Sequence, residues 1–409
     1  MFAMNEFFGG NGMFFLKKAW RHTYFAAALA ITIVATAAGS AAAQDTVKIG
    51  LVMPMTGTVG AAGQEVVAAV KLYMAQHGDT VAGKKIELII RDDGSIPDNA
   101  KRLAQELVVN DHVAILGAGT TPSAMSMAPI SAEAKIPTVV MISGTSVVTE
   151  RSPYYVRTCF TLGQQSGIIA DWAIKNGSRK AVSVLSDWAP GAEAGKAFEQ
   201  HFSQGGGQIL ETLKVPLANA DFAPFLQRAR DLAPDTLFVF VPAGQAGTFA
   251  RQFAERGLDK SGIKLVGPGD IVDDNDLAAT GDTMLGVVTA GFYSAAHPSA
   301  LNKAYVAAYA KATGGKRANF ISVGGYDGMH LIYEALKKTK GGTDPDALLA
   351  AMKGMSWESP RGPISIDPDT RDIIQNVYIR KVEKKDGEPW AIEFATFEAV
   401  KDPLHQAAK

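Results

Sequence analysis

The stretch AILGAGTTPSAMSMA, at residues 114–128, combines small and hydroxyl-bearing residues in a pattern that could bind an anion. An apolar run ends there in two glycines, and Thr120, Thr121, Pro122 and Ser123 follow. Thr121 before Pro122 is typical of a helix N-terminus, with Thr121 as the N-cap and Pro122 as the first helical residue. The first turn of a helix offers backbone N–H groups and a partial positive charge, which suit a carboxylate. The stretch therefore predicts an anion-binding helix N-terminus, and ordinary capping of a surface helix is the alternative.

A second loop of small and hydroxyl-bearing residues follows the next apolar run and consists of Ser143, Gly144, Thr145 and Ser146. Ligands of open parallel sheets bind beyond the carboxyl ends of the strands, so both loops are expected to face one cleft. Neither loop is a phosphate-binding GxxxxGK[ST] motif, and GAGTTP lacks the third glycine of a dinucleotide fingerprint. Hydroxyl and N–H groups without a neighbouring base or metal ligand predict binding without catalysis, with no cofactor and no metal.

Three further side chains are candidates for contact with a ligand. Trp188 follows the apolar run in VLSDWAPG, where an indole could cover a ring or an apolar chain, or could simply pack at a hinge. Gln245 follows the strand-like run TLFVFV and could donate a hydrogen bond. Tyr326, in GGYDG, could equally contact the ligand or pack the hinge.

The elements that must position these residues alternate between short β-branched runs and longer helical segments from Val47 onwards. This alternation predicts an α/β fold with two doubly wound parallel-sheet lobes, because parallel strands need helical crossovers. With no flexible linker between the lobes, several crossings are expected to form a hinge beside a cleft. The predicted boundaries are 44–160 with 290–363 for lobe 1, 161–289 with 364–400 for lobe 2, and 401–409 for a tail.

The first 43 residues are typical of a bacterial export signal. Lys17, Lys18 and Arg21 precede an apolar segment, and cleavage is expected after Ala43. The predicted location is therefore the periplasm. A retained membrane anchor is the alternative, although the apolar run is shorter than the ~20 residues that a membrane span needs.

Composition narrows the classes of function. The 409-residue chain has a formal net charge of −1, which excludes the basic face expected of a nucleic-acid-binding protein. Cys159 is the single cysteine, so an internal disulfide is excluded, and we expect it to be a small buried residue. A secreted hydrolase is the rival class, but the sequence contains neither GxSxG nor HExxH. Its acidic runs, at Asp92 and at Asp273, are typical of solvated caps.

Several stretches in order resemble the periplasmic solute-binding proteins of ABC transporters, of the leucine/isoleucine/valine-binding type. The matching stretches are VKIGLVMPMTGTVGAAGQEVVAAVKL, IIRDDGSIPDNAKRLAQELV, VAILGAGTTPSAMSMAP, SPYYVRT, DFAPFLQRAR and VGGYDGMHLIYEAL. The resemblance implies a type I periplasmic-binding-protein fold, whose two lobes close over a small ligand. It also implies a monomer that delivers this ligand to the permease subunits of an ABC transporter. A sensory protein serving a chemoreceptor or kinase is the alternative, because it uses the same fold.

In this family a serine or threonine and backbone N–H groups at the GAGTTPS position hold the ligand carboxylate. The resemblance assigns that role first to Thr121, with Thr120 and Ser123 as neighbours, and names Thr145 and Ser146 as the second set.

Three positions depart from the amino-acid binders. Ala62 and Pro190 stand where tyrosines or similar large residues are common. The acidic residue that binds an ammonium group is matched by Asp270 or by Gly269 before it. These departures enlarge the pocket, so an aromatic or other organic acid is an alternative ligand to a branched-chain amino acid.

Overall fold

The structure is a computed structural model and describes residues 46–242 and 244–405; the predicted export signal, 1–43, lies outside them. These residues form two β-sheets, each with helices packed against it. Within them, no helix is both long enough and apolar enough to cross a membrane.

The first sheet has six strands in the order β2-β3-β1-β4-β5-β6. All pairs are parallel except the short antiparallel pair β2–β3. The strands are β1 (Thr46–Met53), β2 (Thr80–Val81), β3 (Lys84–Asp92), β4 (Ile115–Ala118), β5 (Thr138–Val140) and β6 (Tyr155–Arg157). Its crossover helices are α1 (Gly60–His77), α2 (Pro97–Val109) and α3 (Thr121–Glu133). We call this sheet with its helices the first lobe.

The second sheet has nine strands, and its parallel part runs in the order β11-β10-β9-β7-β8. These strands are β7 (Lys180–Ser186), β8 (Gln208–Val215), β9 (Thr236–Phe240), β10 (Lys264–Pro268) and β11 (Val288–Gly291). The intervening helices are α4 (Leu162–Lys175), α5 (Ala189–Gln204), α6 (Ala223–Asp231), α7 (Ala246–Glu255) and the short α8 (Asp274–Leu277). We call this sheet with these helices the second lobe.

The chain then returns to the first lobe through α9 (Ala300–Thr313), α10 (Phe320–Lys338) and α11 (Pro345–Met352). Helix α10 packs against α1. Four antiparallel strands complete the second sheet: β12 (Ser356–Ser359), β13 (Gly362–Ile366), β14 (Ile373–Lys385) and β15 (Glu388–Val400). The predicted lobe boundary at 363 falls inside β13, which pairs with β12 and β14 in the second sheet.

A buried arginine joins the segments that cross between the lobes. Arg361 forms an ion pair with Asp327 of α10, with an Nη2–Oδ2 distance of 2.6 Å. Its guanidinium also donates to the carbonyl oxygens of Thr158 and Cys159, which follow β6. Cys159 is fully buried, as predicted. These bonds connect the segment after β6 to α10 and to the segment before β13. Arg361 therefore joins the segments that cross between the lobes at one point.

Candidate ligand-binding cleft

A cavity lies between loops of the first lobe and residues of the second lobe. Its walls are mostly apolar, with threonines on the first-lobe side and one aspartate on the second. The lining residues are Val59, Ala62, Thr120, Thr121, Ile142, Gly144, Phe160, Leu162, Trp188, Pro190, Phe240, Pro242, Asp270 and Ile321. Ala62 and Pro190, the two positions without the expected large side chain, both line it.

Helix α3 points its N-terminus at this cavity, because Thr120 and Thr121 both line it. The helix begins at Thr121, and Thr120 is the N-cap residue with an extended backbone at φ −64° and ψ 163°. The predicted start, with Thr121 as N-cap, is wrong by one residue. The reason is that Pro122 is equally acceptable at the second helical position, where the backbone N–H is also not needed.

The two hydroxyl-bearing loops meet at Thr121 and Thr145. The Thr121 hydroxyl donates to Oγ1 of Thr145 at 3.1 Å, and both side chains are buried. Gly144, beside Thr145, also lines the cavity. The two loops are therefore neighbours in the structure, as predicted: Thr120, Thr121 and Gly144 line the cavity, and Thr145 contacts Thr121 without lining it.

Ser123 and Ser146, also predicted to bind ligand, have partners within the protein. The Ser123 hydroxyl donates to the buried carboxylate of Asp93 at 2.7 Å. Ser146 donates its backbone N–H and its hydroxyl to Glu193 of α5. Neither serine lines the cavity, and Thr145 does not line it either, although its hydroxyl contacts that of Thr121.

A buried arginine fixes the second loop. Arg157 donates through Nη1 and Nη2 to the carbonyl oxygens of Ser143, Thr145 and Ser146, at 2.6 to 3.0 Å. Its Nε donates to Asp372 at 2.7 Å. Burial alone would raise the pKa of Asp372, but the neighbouring Arg157 charge and a hydrogen bond with His405 hold this pKa below its usual value. The loop that carries Thr145 is thus anchored by an ion pair from the far end of the chain.

The second lobe contributes an indole and a carboxyl group. Trp188 immediately precedes α5 and lines the cavity, and its Nε1 is buried with no hydrogen-bond partner among the described residues. Asp270 follows β10, is 4% exposed, and its Oδ2 likewise lacks a partner in the described part of the chain. Burial raises the pKa of Asp270 to about 7, although the Arg380 charge opposes this. Both polar atoms are therefore available to a ligand.

Gln245 and Tyr326 lie elsewhere. Gln245 lines a separate cavity with Thr58 and donates to the Leu217 carbonyl oxygen at 3.0 Å. The Tyr326 hydroxyl donates to Gln76 at 2.7 Å, and its ring packs against Tyr73. The prediction that these two residues contact the ligand in the main cavity does not fit their positions. Tyr326 lies in the packing between α10 and α1, and Gln245 turns toward the loop after β8.

Two aromatic side chains of the cavity wall were not predicted from the sequence. Phe160 and Phe240 line the cavity from the two lobes, and Phe160 stacks on Phe292 with ring centroids 5.2 Å apart. Phe240 ends β9, and this position at a strand end could have indicated that it lies near the ligand. Phe160 follows β6 in a crossing segment, where no local pattern marks it.

One group of side chains has the composition of a metal site. Ligand atoms of Asp372, Asp402 and His405 lie within 4.8 Å of one another. However, Asp372 already accepts hydrogen bonds from Arg157 and Thr149 as well as from His405. Among the described residues this arrangement is therefore an ion-pair network, which leaves little coordination capacity for a cation.

Known proteins match this architecture. The sequence profile of a family described as periplasmic binding protein matches residues 46–388. The chain belongs to the periplasmic binding protein family. It is 42% identical over 381 residues to Leu/Ile/Val-binding protein homolog 6 of Brucella melitensis, covering 92% of this chain and 98% of that protein.

Two solved structures of the family are close in sequence and shape. A solute-binding protein of an ABC transporter from Rhodopseudomonas palustris BisB5, in complex with 3,4-dihydroxybenzoic acid, is 63% identical, with a TM-score of 0.86. That match covers 88% of this chain and 99% of the other. A second, from Rhodopseudomonas palustris HaA2 in complex with p-hydroxybenzoic acid, is 41% identical with a TM-score of 0.84, again covering 88% and 99%.

These matches confirm the predicted family and the type I two-lobe fold. Members of the periplasmic binding protein family bind small molecules and are not enzymes. This periplasmic binding protein is accordingly a solute-binding protein, which captures a small ligand between its lobes for import by an ABC transporter.

Proposed function

We propose that the ligand is a hydroxylated aromatic carboxylate of the hydroxybenzoate type. The observation that carries the proposal is a mostly apolar cavity with hydroxyl groups at one end and the carboxyl group of Asp270 on the second-lobe side, whose Oδ2 has no partner among the described residues. A hydroxybenzoate has matching chemistry, with a carboxylate, a flat apolar ring and a phenolic hydroxyl. The 3,4-dihydroxybenzoic acid complex of the relative that is 63% identical supports this ligand class.

The ligand carboxylate binds at the N-terminus of α3. The Thr121 and Thr145 hydroxyl groups lie 3.1 Å apart and can both turn toward an anion. The first intrahelical hydrogen bond of α3 runs from the Ala124 N–H to the Thr120 carbonyl oxygen. Backbone N–H groups before Ala124 in the first turn can therefore donate to the ligand. Neutral donors of this kind lose their hydration at a lower cost than lysine or arginine would.

The ring occupies the apolar middle of the cavity. Phe160 from the crossing segment after β6, and Leu162 and Trp188 from the second lobe, can contact its faces and edges. Ala62 and Pro190 leave the width that larger residues at these positions would fill. A phenolic hydroxyl then donates to Oδ2 of Asp270, which has no other partner among the described residues.

A branched-chain amino acid is the second candidate. Asp270 could pair with an α-ammonium group instead of a hydroxyl, and the Brucella relative is named as a Leu/Ile/Val-binding protein homologue. The aromatic acid is favoured because the relative of higher identity, 63% against 42%, is the one in complex with a benzoic acid derivative.

We further propose that the protein is exported, with cleavage after Ala43, and acts as a monomer without catalysing a reaction. The ligand docks on the first lobe, and the second lobe closes over it. The ABC permease then distinguishes the closed form from the open form. A sensory partner in place of a permease is tested by uptake: a deletion strain that still imports the radiolabelled acid at the parental rate would favour the sensor.

Calorimetric titration of the chain from Gln44 onwards tests the ligand class. The panel is 3,4-dihydroxybenzoate, 4-hydroxybenzoate, benzoate and leucine. We expect the hydroxylated acids to bind more tightly than benzoate, and leucine to give no measurable heat. Tight binding of leucine with no response to the aromatic acids would overturn the proposal, and chemical conversion of the recovered ligand would overturn the absence of catalysis.

A further inference from the structure

A carboxylate of the second lobe binds the end of a loop that belongs to the first lobe. Glu193, on α5, accepts the Ser146 backbone N–H with its two oxygens at 2.9 and 3.1 Å. It also accepts the Ser146 hydroxyl at 3.0 Å. Ser146 begins the short 3-10 helix Ser146–Arg151, so Glu193 satisfies an N–H group at a helix start from across the interlobe boundary.

Both partners of this contact are adjacent to the cavity. Thr145, next to Ser146, presents its hydroxyl to Thr121 at the anion-binding end. Pro190, one helical turn before Glu193, lines the cavity from the second lobe, as does Trp188 just before α5. The contact therefore joins the part of the first lobe that holds the ligand to the part of the second lobe that covers it.

The nearby arginine does not compete for this carboxylate. Arg157 directs Nη1 and Nη2 at carbonyl oxygens of the loop and its Nε at Asp372. Within residues 46–242 and 244–405, the hydrogen bonds of the Glu193 carboxylate go to Ser146. The Arg157 guanidinium donates to the carbonyl oxygen of Ser146.

We propose that Glu193 is a positioning residue, which stabilises the closed arrangement of the lobes by binding Ser146 and so holds α5 against the Thr145 loop. It does not contact the ligand. Its contribution reaches the ligand through the position of Thr145 on one side and of Trp188 and Pro190 on the other. Because the contact is made by the protein alone, the proposal is independent of which acid the cavity binds.

The ionisation of Glu193 gives this contact a measurable signature. Burial raises the pKa of Glu193 to about 7; the Asp402 charge also raises it, while the Ser146 bonds and the Arg157 charge lower it. When the lobes separate, the carboxyl group returns to water and its pKa falls toward the ordinary value of 4.5. Closure therefore takes up a proton, and the closed population rises as pH falls from 8 to 6.

The experiment measures closure without ligand. One spin label is attached on each lobe, through cysteines replacing the exposed Lys101 and Lys260, and electron–electron distances are recorded at pH 8 and pH 6. The variants are Glu193→Ala, which removes the acceptor, and Glu193→Gln, which keeps a carbonyl oxygen for the Ser146 N–H. The matched control is Glu199→Gln on the same helix, whose carboxylate accepts the Thr212 hydroxyl within the second lobe.

We expect Glu193→Ala to shift the population toward the longer interlobe distance and to weaken 3,4-dihydroxybenzoate binding about tenfold, the loss typical of one charge-assisted hydrogen bond. Glu193→Gln should retain closure and lose part of the pH dependence. Because Asp270 and Asp402 also have raised pKa values, the part due to Glu193 is the difference between wild type and this variant. The control should match wild type.

A Glu193→Ala distance distribution that superimposes on wild type would overturn the proposal, as would a Glu193→Gln variant that opens as far as Glu193→Ala. Failure of every aromatic acid to bind would contradict the proposed ligand and would leave the ligand-free distances as the deciding test of Glu193.

Discussion

Thr121, which lines the cavity, and Thr145 bring hydroxyl groups from two separate loops within 3.1 Å of each other. They form a hydrogen bond with each other, and both hydroxyl groups can instead donate to an anion. The chemistry of the site therefore depends on a pair of residues that neither loop supplies alone.

Thr121→Val keeps the shape of the side chain and removes its hydroxyl. Since a hydrogen bond to a charged group contributes about 1.5–3 kcal/mol, we expect affinity for the aromatic acid to fall about tenfold to hundredfold in calorimetric titration. Ser126→Ala, on the same helix, is the control, because its hydroxyl donates to the Pro97 carbonyl oxygen away from the cavity. Equal affinities for wild type and Thr121→Val would exclude Thr121 from the anion site.

Asp270→Asn tests the other end of the ligand. The change replaces a charged acceptor with a neutral one of the same shape, so the preference for 4-hydroxybenzoate over benzoate should shrink by about tenfold. Benzoate itself should bind nearly as before. If the affinities for both acids fall by the same factor, Asp270 supports the shape of the cavity and does not bind the ligand hydroxyl.

At the scale of elements, the position of the second loop depends on a segment more than two hundred residues away in the chain. Arg157 and Asp372 are buried, with side-chain exposures of 0% and 2%, and the pair holds the carbonyl oxygens around Thr145. Its removal should affect the whole molecule, since the loop, β6 and the C-terminal segment share it.

Asp372→Asn should destabilise the protein by about 3–5 kcal/mol, because it leaves the buried Arg157 charge without its partner. The free energy of unfolding in urea measures this change. Glu106→Gln, which breaks an exposed ion pair with Arg102 on α2, should change stability by less than about 1 kcal/mol. Comparable losses of unfolding free energy in the two variants would show that the buried ion pair contributes no more to stability than the exposed one.

His405 adds a pH dependence to the same network. Its hydrogen bond with Asp372 raises the pKa of His405 above the ordinary value of 6.5. A group whose pKa is raised on folding stabilises the protein fully below its unfolded pKa and loses that effect as pH rises through its folded pKa. His405→Gln should therefore lower the melting temperature at pH 6 more than at pH 9. An equal loss at both values would contradict an ionic role for His405.

The alternation of strands and helices and the start of α3 could be predicted because they depend on local patterns. Thr121 before Pro122 indicates a helix start whatever the tertiary structure. The prediction was one residue off, because Thr120 and not Thr121 is the N-cap residue. The partners of Ser123 and Ser146 could not be predicted, because Asp93 and Glu193 reach them from other elements. A serine beside a predicted site can equally form hydrogen bonds within the protein that hold the site in place.

At the scale of the whole molecule, the two lobes and their crossings follow from the sequence pattern, and the direction of side chains at their boundary does not. Gln245 precedes α7 and Tyr326 lies in α10, and packing turns one toward Leu217 and the other toward Gln76. Conversely, Phe160 faces the cavity from a crossing segment because Arg361 and Arg157 hold that segment in place. Long-range packing decides these orientations.

The most direct test is a crystal structure of the exported chain grown with 3,4-dihydroxybenzoate. We expect the acid between the lobes, its carboxylate within hydrogen-bond distance of the Thr121 and Thr145 hydroxyl groups, and a ring hydroxyl on Asp270. A ligand bound outside the cleft, or one oriented with its carboxylate away from the N-terminus of α3, would contradict this account.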